Sequence, residues 1–174
     1  MANKVIKTFF LNQNEWFLYG QWLKEQDSET LQNYFGNNTK DHAIDLLMTR
    51  ITQFPNKHYL LIATQNNQWV GVTHIATHQQ TVEFGLIVDP NFRKQGIASM
   101  MINEALTWSR NRHYQYLFMH CIGWNTPIKK MCIKHKLQTK NMMGESEVNM
   151  KLSPPDFLSY LKEHSSNLRR LVVN

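Results

Sequence analysis

Cysteine is scarce in this chain. Cys121 and Cys132 are the two cysteines among 174 residues, and they are not spaced as a Cys-x-x-Cys pair. They therefore predict neither a disulfide framework nor a paired metal site. Because disulfide frameworks belong to oxidising compartments, we expect a reducing, cytoplasmic setting for this protein.

Long apolar runs are absent as well. No stretch approaches the roughly 18 consecutive apolar residues that a membrane-spanning helix needs, so we expect no membrane partner. The first ten residues contain Lys4 and Lys7 without a sustained apolar segment, a pattern that is not typical of a secretory signal. A length of 174 residues with 42% hydrophobic content predicts one globular domain with its own core.

Several motifs of catalysis and nucleotide binding are also missing. The sequence contains neither the P-loop pattern GxxxxGK[ST] nor the dinucleotide pattern GxGxxG. Its 8 histidines show no metal-like spacing, and we expect no metal cofactor. Cys121 has no readable base partner, so catalysis through a covalent acyl-cysteine is not expected.

The net charge is +6 at pH 7. It permits two interpretations, solubility alone or attraction to a polyanion such as nucleic acid or a phosphorylated cofactor. The basic pairs are spread along the chain, at Arg93-Lys94, Lys129-Lys130 and Arg169-Arg170. This spread argues against a dedicated nucleic-acid arm, and we do not expect nucleic acid as the main partner.

Apolar periodicity predicts helices first, then a strand meander, then alternating strands and helices. The predicted helices are 15–26, 28–35, 41–51, 96–112, 126–135 and 156–163. The predicted strands are 57–64, 69–77, 81–88, 114–122 and 147–152. This order is typical of an α/β or α+β domain with a mixed sheet. Pro154-Pro155 marks a boundary, which predicts a domain over 1–153 and a helical, basic tail over 154–174.

One strand–loop–helix segment carries the clearest chemical signal. The strand ends at Asp89-Pro90, the basic pair Arg93-Lys94 follows, and a helix opens near Gly96. Backbone amides at a helix start lack internal partners, and the helix dipole adds partial positive charge, so such a turn binds phosphate. Glycine allows a ligand to approach the backbone closely. The alternative is an ordinary connection with surface cations.

The same segment resembles a known enzyme family. The run Arg93-Lys94-Gln95-Gly96-Ile97-Ala98 resembles the Arg/Gln-x-x-Gly-x-Gly/Ala signature of the GNAT N-acetyltransferases. Upstream, 86–92 resembles the strand and Pro-x-Tyr approach of that family, with Phe92 where Tyr is usual. Downstream, 125–134 resembles its Asn-x-x-Ala-x-x-Leu-Tyr-x-Lys helix. The resemblance covers about Leu11 to Leu152 and implies a mixed, mostly antiparallel central sheet flanked by helices.

The resemblance implies that acetyl-CoA is the cosubstrate and assigns residues to it. Backbone groups of Ile87 and Val88 would pair with the pantetheine arm. The pyrophosphate would be held at the helix start by Arg93, Lys94, Gln95, Gly96, Ile97, Ala98 and Ser99. Asn125 would hydrogen-bond the pantetheine, although capping of the local helix is an equally good interpretation of an Asn there.

The sequence departs from the family pattern at the position expected for the general acid. Relatives often carry a Tyr at the position of Cys132, and that Tyr is assigned as the group that protonates the leaving thiolate. A thiol has a reference pKa of roughly 8.5, below the roughly 10 of Tyr, so proton donation by Cys132 is chemically feasible. Inert packing is the alternative for a cysteine on a helix. Lys136-Leu137 also replaces the usual Gly-Phe.

The candidate general base is Glu83. An aliphatic amine has a pKa of roughly 10.4 and must lose a proton before it attacks. Glu83 stands on the strand before the loop, where relatives often carry an acidic residue, and by alternation it shares a face with Gly85 and Ile87. An ion-paired structural carboxylate is the alternative. His120 on the next strand is a second candidate, because imidazole titrates in a suitable range.

These observations predict an N-acetyltransferase in which an amine attacks the thioester directly within a ternary complex. The expected acceptor is a small-molecule or protein amine, and the protein would be a monomer or homodimer. Two other functions stay open. One is a non-catalytic module of the same fold that binds acyl-CoA as a sensor, and the other is a basic nucleic-acid-binding domain favoured by net charge alone.

Overall fold

The computed structural model describes residues 5–36, 40–122, 139–142 and 145–171. Within these ranges one sheet has seven strands in the order β1-β2-β3-β4-β5-β7-β6. The strands are β1 Ile6–Phe10, β2 His58–Gln65, β3 Gln68–His78, β4 Thr81–Val88, β5 Tyr116–Ile122, β6 Thr139–Met142 and β7 Glu145–Lys151. β4 and β5 are parallel and the other neighbours are antiparallel. The predicted mixed, mostly antiparallel sheet is confirmed.

Five α-helices flank the sheet in the described ranges. They are α1 Phe17–Lys24, α2 Ser28–Phe35, α3 Lys40–Gln53, α4 Ile97–Asn111 and α5 Phe157–Leu171. Short 3-10 turns lie at Gln13–Glu15, Pro55–Lys57 and Pro90–Phe92. α5 is longer than the predicted 156–163, and β1 and β6 were not predicted. The predicted helix at 126–135 lies outside the described residues. No helix in the described part of the chain is long and apolar enough to cross a membrane.

Two apolar layers cover the two faces of the sheet. On one face Phe84 of β4 packs with Ile102 and Trp108 of α4. On the other face Ile87 of β4 belongs to the layer formed with α1 to α3, which includes the fully buried Leu23. Successive side chains of a strand point to opposite faces, and the two layers confirm that Glu83, Gly85 and Ile87 share the face of α1 to α3.

Local polar contacts fix the ends of the elements around the loop. The Asp89 carboxylate accepts a hydrogen bond from the Asn91 amide at 2.8 Å, and Pro90 ends the β4 ladder. At the start of α2, the Asp27 carboxylate accepts from the Thr30 amide at 2.8 Å and from the Thr30 hydroxyl at 2.6 Å. This is the side-chain cap that helix starts favour, and it fixes where α2 begins.

Candidate active site

The parallel strands β4 and β5 diverge soon after they begin. Their register runs from Thr81 opposite Tyr116 to Glu83 opposite Phe118, and no further pair joins them among the described residues. Both strands continue, β4 to Val88 on its ladder with β3 and β5 on its ladder with β7. The edge of β4 beyond Glu83 therefore faces an opening, where an extended ligand could lie between the strands.

Five consecutive backbone amides stand at the end of this opening, where α4 begins. They belong to Lys94, Gln95, Gly96, Ile97 and Ala98, and none donates a hydrogen bond to a described group. Lys94 and Gly96 have left-handed backbone, with φ of 62° and 81°. Successive amides around left-handed residues form concave sites for anions, and the dipole of the 15-residue helix α4 favours negative charge here.

Gly96 is required by its backbone conformation. A side chain at a φ of +81° is strained, yet a Cβ built there would meet no atom of the described residues within 4 Å. The described residues therefore leave space on the side-chain side of Gly96, where a ligand can approach the backbone. The next residue, Ile97, buries its side chain with Met101 in a small apolar cluster, so the turn is held in place by the core.

The Arg93 side chain points to helix α2. Its Nε donates to the Val88 carbonyl at 3.1 Å, and its Nη2 donates to the Thr30 hydroxyl at 2.6 Å. Burial opposes ionisation of Asp27, but the hydrogen bonds from Thr30 and the charge of Arg93 lower its pKa. The cofactor-binding roles of Arg93 and Val88 stay predictions. The structure adds that these two residues tie the loop to the start of α2.

The end of α2 covers β4 beside Glu83. A Cβ at Gly85 would collide with the Tyr34 hydroxyl, so the glycine makes room for this side chain. The Tyr34 and Tyr19 hydroxyls are 3.3 Å apart. Burial raises the pKa of Tyr34 to about 12, opposed by the hydrogen bond with Tyr19 and supported by the charge of Glu83. Glu83 itself is exposed, so its carboxylate is accessible to a substrate.

A buried pair of histidines lies on the same face of the sheet. Nδ1 of His58 is 3.0 Å from Nε2 of His74. Burial lowers the pKa of His74 to about 3, with added repulsion from His58 and Arg50. Burial likewise lowers the pKa of His58, helped by Arg50 and Lys57. Both rings are therefore neutral at neutral pH, and one ring nitrogen donates to the other.

A pocket of about 370 Å³ opens beside Glu83. Its floor is a row across four neighbouring strands, in which register places His58, Ala76, Glu83 and Phe118 side by side. Arg50 and Lys57 line the end near His58. This volume lies in the range of small-ligand pockets. Sequence reasoning identified Glu83 but missed His58 and the two cations, because contacts between distant segments carry no local signal.

The remaining predicted site residues are only partly described. His120 lies on β5, opposite Glu147 of β7. Ser99 lies in the first turn of α4 and makes an interaction of its own. Asn125 and Cys132 lie outside the described residues. No cluster of three metal-ligating side chains occurs in the described ranges.

Comparison with known proteins places this geometry in a family. The model of the Acetyltransferase (GNAT) family matches residues 16–134, more than half of the chain. A comparison with curated protein sequences finds no match.

Solved structures share the fold at low sequence identity. The N-acetyltransferase from Staphylococcus aureus Mu50 is 14% identical with a TM-score of 0.65, over 86% of this chain and 99% of that one. The spermidine N-acetyltransferase from Vibrio cholerae, in complex with CoA and spermine, is 12% identical with a TM-score of 0.67, over 84% and 95%. A PaiA N-acetyltransferase from Thermoplasma acidophilum, in complex with coenzyme A, is 12% identical with a TM-score of 0.67, over 84% and 99%.

Proposed function

Because the chain belongs to the acetyltransferase (GNAT) family, we propose that it transfers an acetyl group from acetyl-CoA to a primary amine within a ternary complex. The observation that carries the proposal is the opening between β4 and β5, which leads to five amides at the start of α4 that bond to no described group. This opening suits an extended arm that ends in a diphosphate.

The chain's own groups fit acetyl-CoA in two places. The β4 edge at Ile87 and Val88 offers backbone groups to the pantetheine, as an added strand would. The amides from Lys94 to Ala98 offer donors to the pyrophosphate, with the exposed Lys94 beside them. Cofactor and acceptor would then meet near Glu83, where the two strands separate.

The reaction would be a direct displacement. The amine nitrogen forms a bond to the acetyl carbon, the carbon–sulfur bond breaks, and the electron pair leaves with the CoA sulfur. Glu83 would accept the proton of the acceptor ammonium, directly or through water, because its carboxylate is exposed at the pocket. Most of the rate would come from positioning the two reactants.

Two groups are proposed to protonate the leaving thiolate, the Cys132 thiol and, as the alternative, water. Cys132 occupies the position where relatives carry Tyr, and a thiol could supply the proton. Water is the alternative donor, because a CoA thiolate is a good leaving group. The side chain of His120 is a further candidate for proton transfer.

An acetyl-transfer screen tests the proposal. Purified protein is incubated with acetyl-CoA and a panel of amines, and release of free CoA is followed over time. We expect CoA release that depends on one class of amine and yields the acetylated product by mass spectrometry. Tight acetyl-CoA binding without turnover on any amine would support the acyl-CoA-binding sensor instead.

A further inference from the structure

We propose that the pocket beside Glu83 recognises a small acceptor that carries an anionic group, a carboxylate or phosphate, at a distance from its amine. The inference rests on the proposed acetyl transfer and adds the class of acceptor. In this arrangement Arg50 and Lys57 bind the anionic group, while the amine lies at Glu83 beside the opening between β4 and β5.

The row of residues on the pocket floor sets the spacing of these groups. His58 lies on β2, Ala76 on β3 and Glu83 on β4, and each is in register with the next. Neighbouring strands are about 4.8 Å apart, so His58 and Glu83 are separated by roughly 9.6 Å along the floor. The basic end of the pocket, near His58, and the Glu83 carboxylate are therefore separated by a distance that a small ligand with two charged ends can span.

The two cations are available to a ligand. Arg50 lies in the last turn of α3 and Lys57 directly precedes β2, and both side chains are exposed at the pocket. Neither forms an ion pair with a described residue, and Lys57 lies 5.6 Å from the centre of the Phe54 ring. After burial, the charges of both cations lower the pKa of His58, so both act on the same imidazole at this end of the pocket.

The walls between the charged ends suit a short carbon chain. Ala76 lies between His58 and Glu83 on the pocket floor, and Phe54 lines the pocket beside Lys57. Phe118 lines it on the other side of Glu83. A polyamine would bring positive charge to Arg50 and Lys57, which costs affinity because like charges repel. An amino acid or an amino phosphate instead places opposite charges at both ends. Charge complementarity therefore selects an acidic amine over a diamine.

Four amines with the same six-carbon chain test the proposal: 6-aminohexanoate, 6-aminohexyl phosphate, hexylamine and 1,6-diaminohexane. We expect kcat/KM for at least one acidic amine to exceed that for hexylamine by tenfold or more, with the diamine lowest. The carboxylate and phosphate arms identify which anion is preferred. Equal values for hexylamine and both acidic amines, or a preference for the diamine, would overturn the inference and leave acetyl transfer intact.

Two variants separate local recognition from general charge effects. The double variant Arg50→Gln, Lys57→Gln should lose at least tenfold in kcat/KM for the preferred acidic amine and change less than twofold for hexylamine. Lys24→Gln removes one positive charge from α1, where Lys24 pairs with Asp45 at 3.5 Å, and should leave the acidic preference unchanged. An equal loss in Lys24→Gln would show that net charge, not the pocket, attracts the acid. If the double variant does not fold, Arg50→Gln alone serves.

A binding measurement keeps this test independent of turnover. Ligand-observed NMR can follow 6-aminohexanoate and 6-aminohexyl phosphate with the wild-type chain and the double variant. If no amine is acetylated but an acidic amine binds and loses that binding in the double variant, the pocket assignment stands and acetyl transfer fails. If neither acidic amine binds nor reacts, the pocket assignment fails.

Discussion

Glu83 has two properties that a general base needs. Its side chain is exposed at the pocket, and it lies at the point where β4 and β5 separate. Its neighbours show why the position is fixed. Gly85 leaves room for Tyr34, whose ring lies against β4, and the small side chain of Ala76 on β3 leaves space in the pocket beside the carboxylate. The carboxylate is thus accessible while the strand beneath it is buried.

Replacing Glu83 with Gln tests its role. The substitution keeps size and hydrogen bonding but removes the base, so kcat/KM for the acceptor should fall at least tenfold, since a general base contributes roughly 10²–10⁴-fold. Affinity for acetyl-CoA, measured by calorimetry, should barely change. The loss should shrink as pH rises, because free amine then forms without help. Wild-type kcat/KM at neutral pH would exclude Glu83 as the base.

Cys132 calls for a separate test of the general acid. If the thiol only packs, Cys132→Ala should keep most of the turnover and lose some stability from a small cavity. If the thiol protonates the leaving group, kcat should fall about a hundredfold with unchanged acetyl-CoA affinity and an intact fold. We expect the first outcome, since water can replace the acid. Circular dichroism and steady-state kinetics on the same preparations distinguish the two.

The buried His58–His74 pair makes a prediction about stability. His74 has a folded pKa of about 3 and an unfolded pKa of roughly 6.5. Between these pH values the unfolded chain binds a proton at His74 that the folded chain does not bind. The contribution of neutral His74 to stability is therefore fully present above about pH 6.5 and is lost as the pH falls toward 3. From pH 7.5 to 5, His74 alone should cost about 2 kcal/mol of unfolding free energy.

Chemical denaturation at the two pH values measures this cost. His74→Gln should weaken the pH dependence over that interval, although it lowers stability at pH 7.5. His78→Gln removes an exposed histidine from the same strand and should keep the wild-type pH dependence. The same pH dependence in wild type and His74→Gln would contradict the prediction.

At the scale of the elements, the start of α4 is the feature that the fold presents to a diphosphate. Gly96→Glu should abolish acetyl-CoA binding, because it places a side chain and a negative charge in the open space before the amides. Gly96→Ala adds no charge, and its Cβ meets no atom of the described part of the chain. It should therefore cost about 1–2 kcal/mol of stability from the left-handed backbone while retaining measurable binding. Unchanged affinity in Gly96→Glu, by calorimetry, would disprove the loop assignment.

Elements with local signals were predictable from sequence. The predicted bounds of α2 and β4 agree with the structure, because the Asp27 cap starts α2 and Asp89-Pro90 ends β4. The edge strand β1 escaped prediction because its residues Ile6–Phe10 are all half-buried and show no two-residue alternation. The segment therefore lacks the alternation of apolar and polar residues that identifies a strand in a sequence.

The pocket floor could not be predicted because one irregularity sets its register. A two-residue turn at Asn66-Asn67 predicts His58 opposite Ile75. The structure instead has a register shift at Ala63/Thr64, which places His58 opposite Ala76. A shift of one residue changes which side chains share a face, and it is this shift that brings His58 beside His74.

At the scale of the whole molecule, helix α5 is fastened to the end of α4. The Arg110 side chain donates to the carbonyls of Ser153 and Pro154 and to the Asp156 carboxylate, at 3.0, 2.8 and 2.9 Å. Arg112 pairs with Glu163 at 2.8 Å. These contacts lie at the far end of α4 from the amides at its start, so the C-terminal segment supports the fold at a distance from the site.

Removal of residues 154–174 tests two predictions together: the domain boundary at Ser153, and a role for the C-terminal segment in stability but not in acetyl-CoA binding. The chain truncated after Ser153 should bind acetyl-CoA, because the β4 edge and the first turn of α4 stay intact. Its Tm should fall by at least roughly 5 °C, since each 1 kcal/mol lost lowers Tm by about 2–4 °C in a domain of this size and several contacts are removed together. Arg110→Gln, which removes only the contacts of that side chain, should lower Tm by less. Thermal scans with and without acetyl-CoA measure both effects, because a ligand that binds the folded chain raises Tm. A truncated chain that folds but no longer gains stability from acetyl-CoA would show that 154–174 belongs to the functional domain.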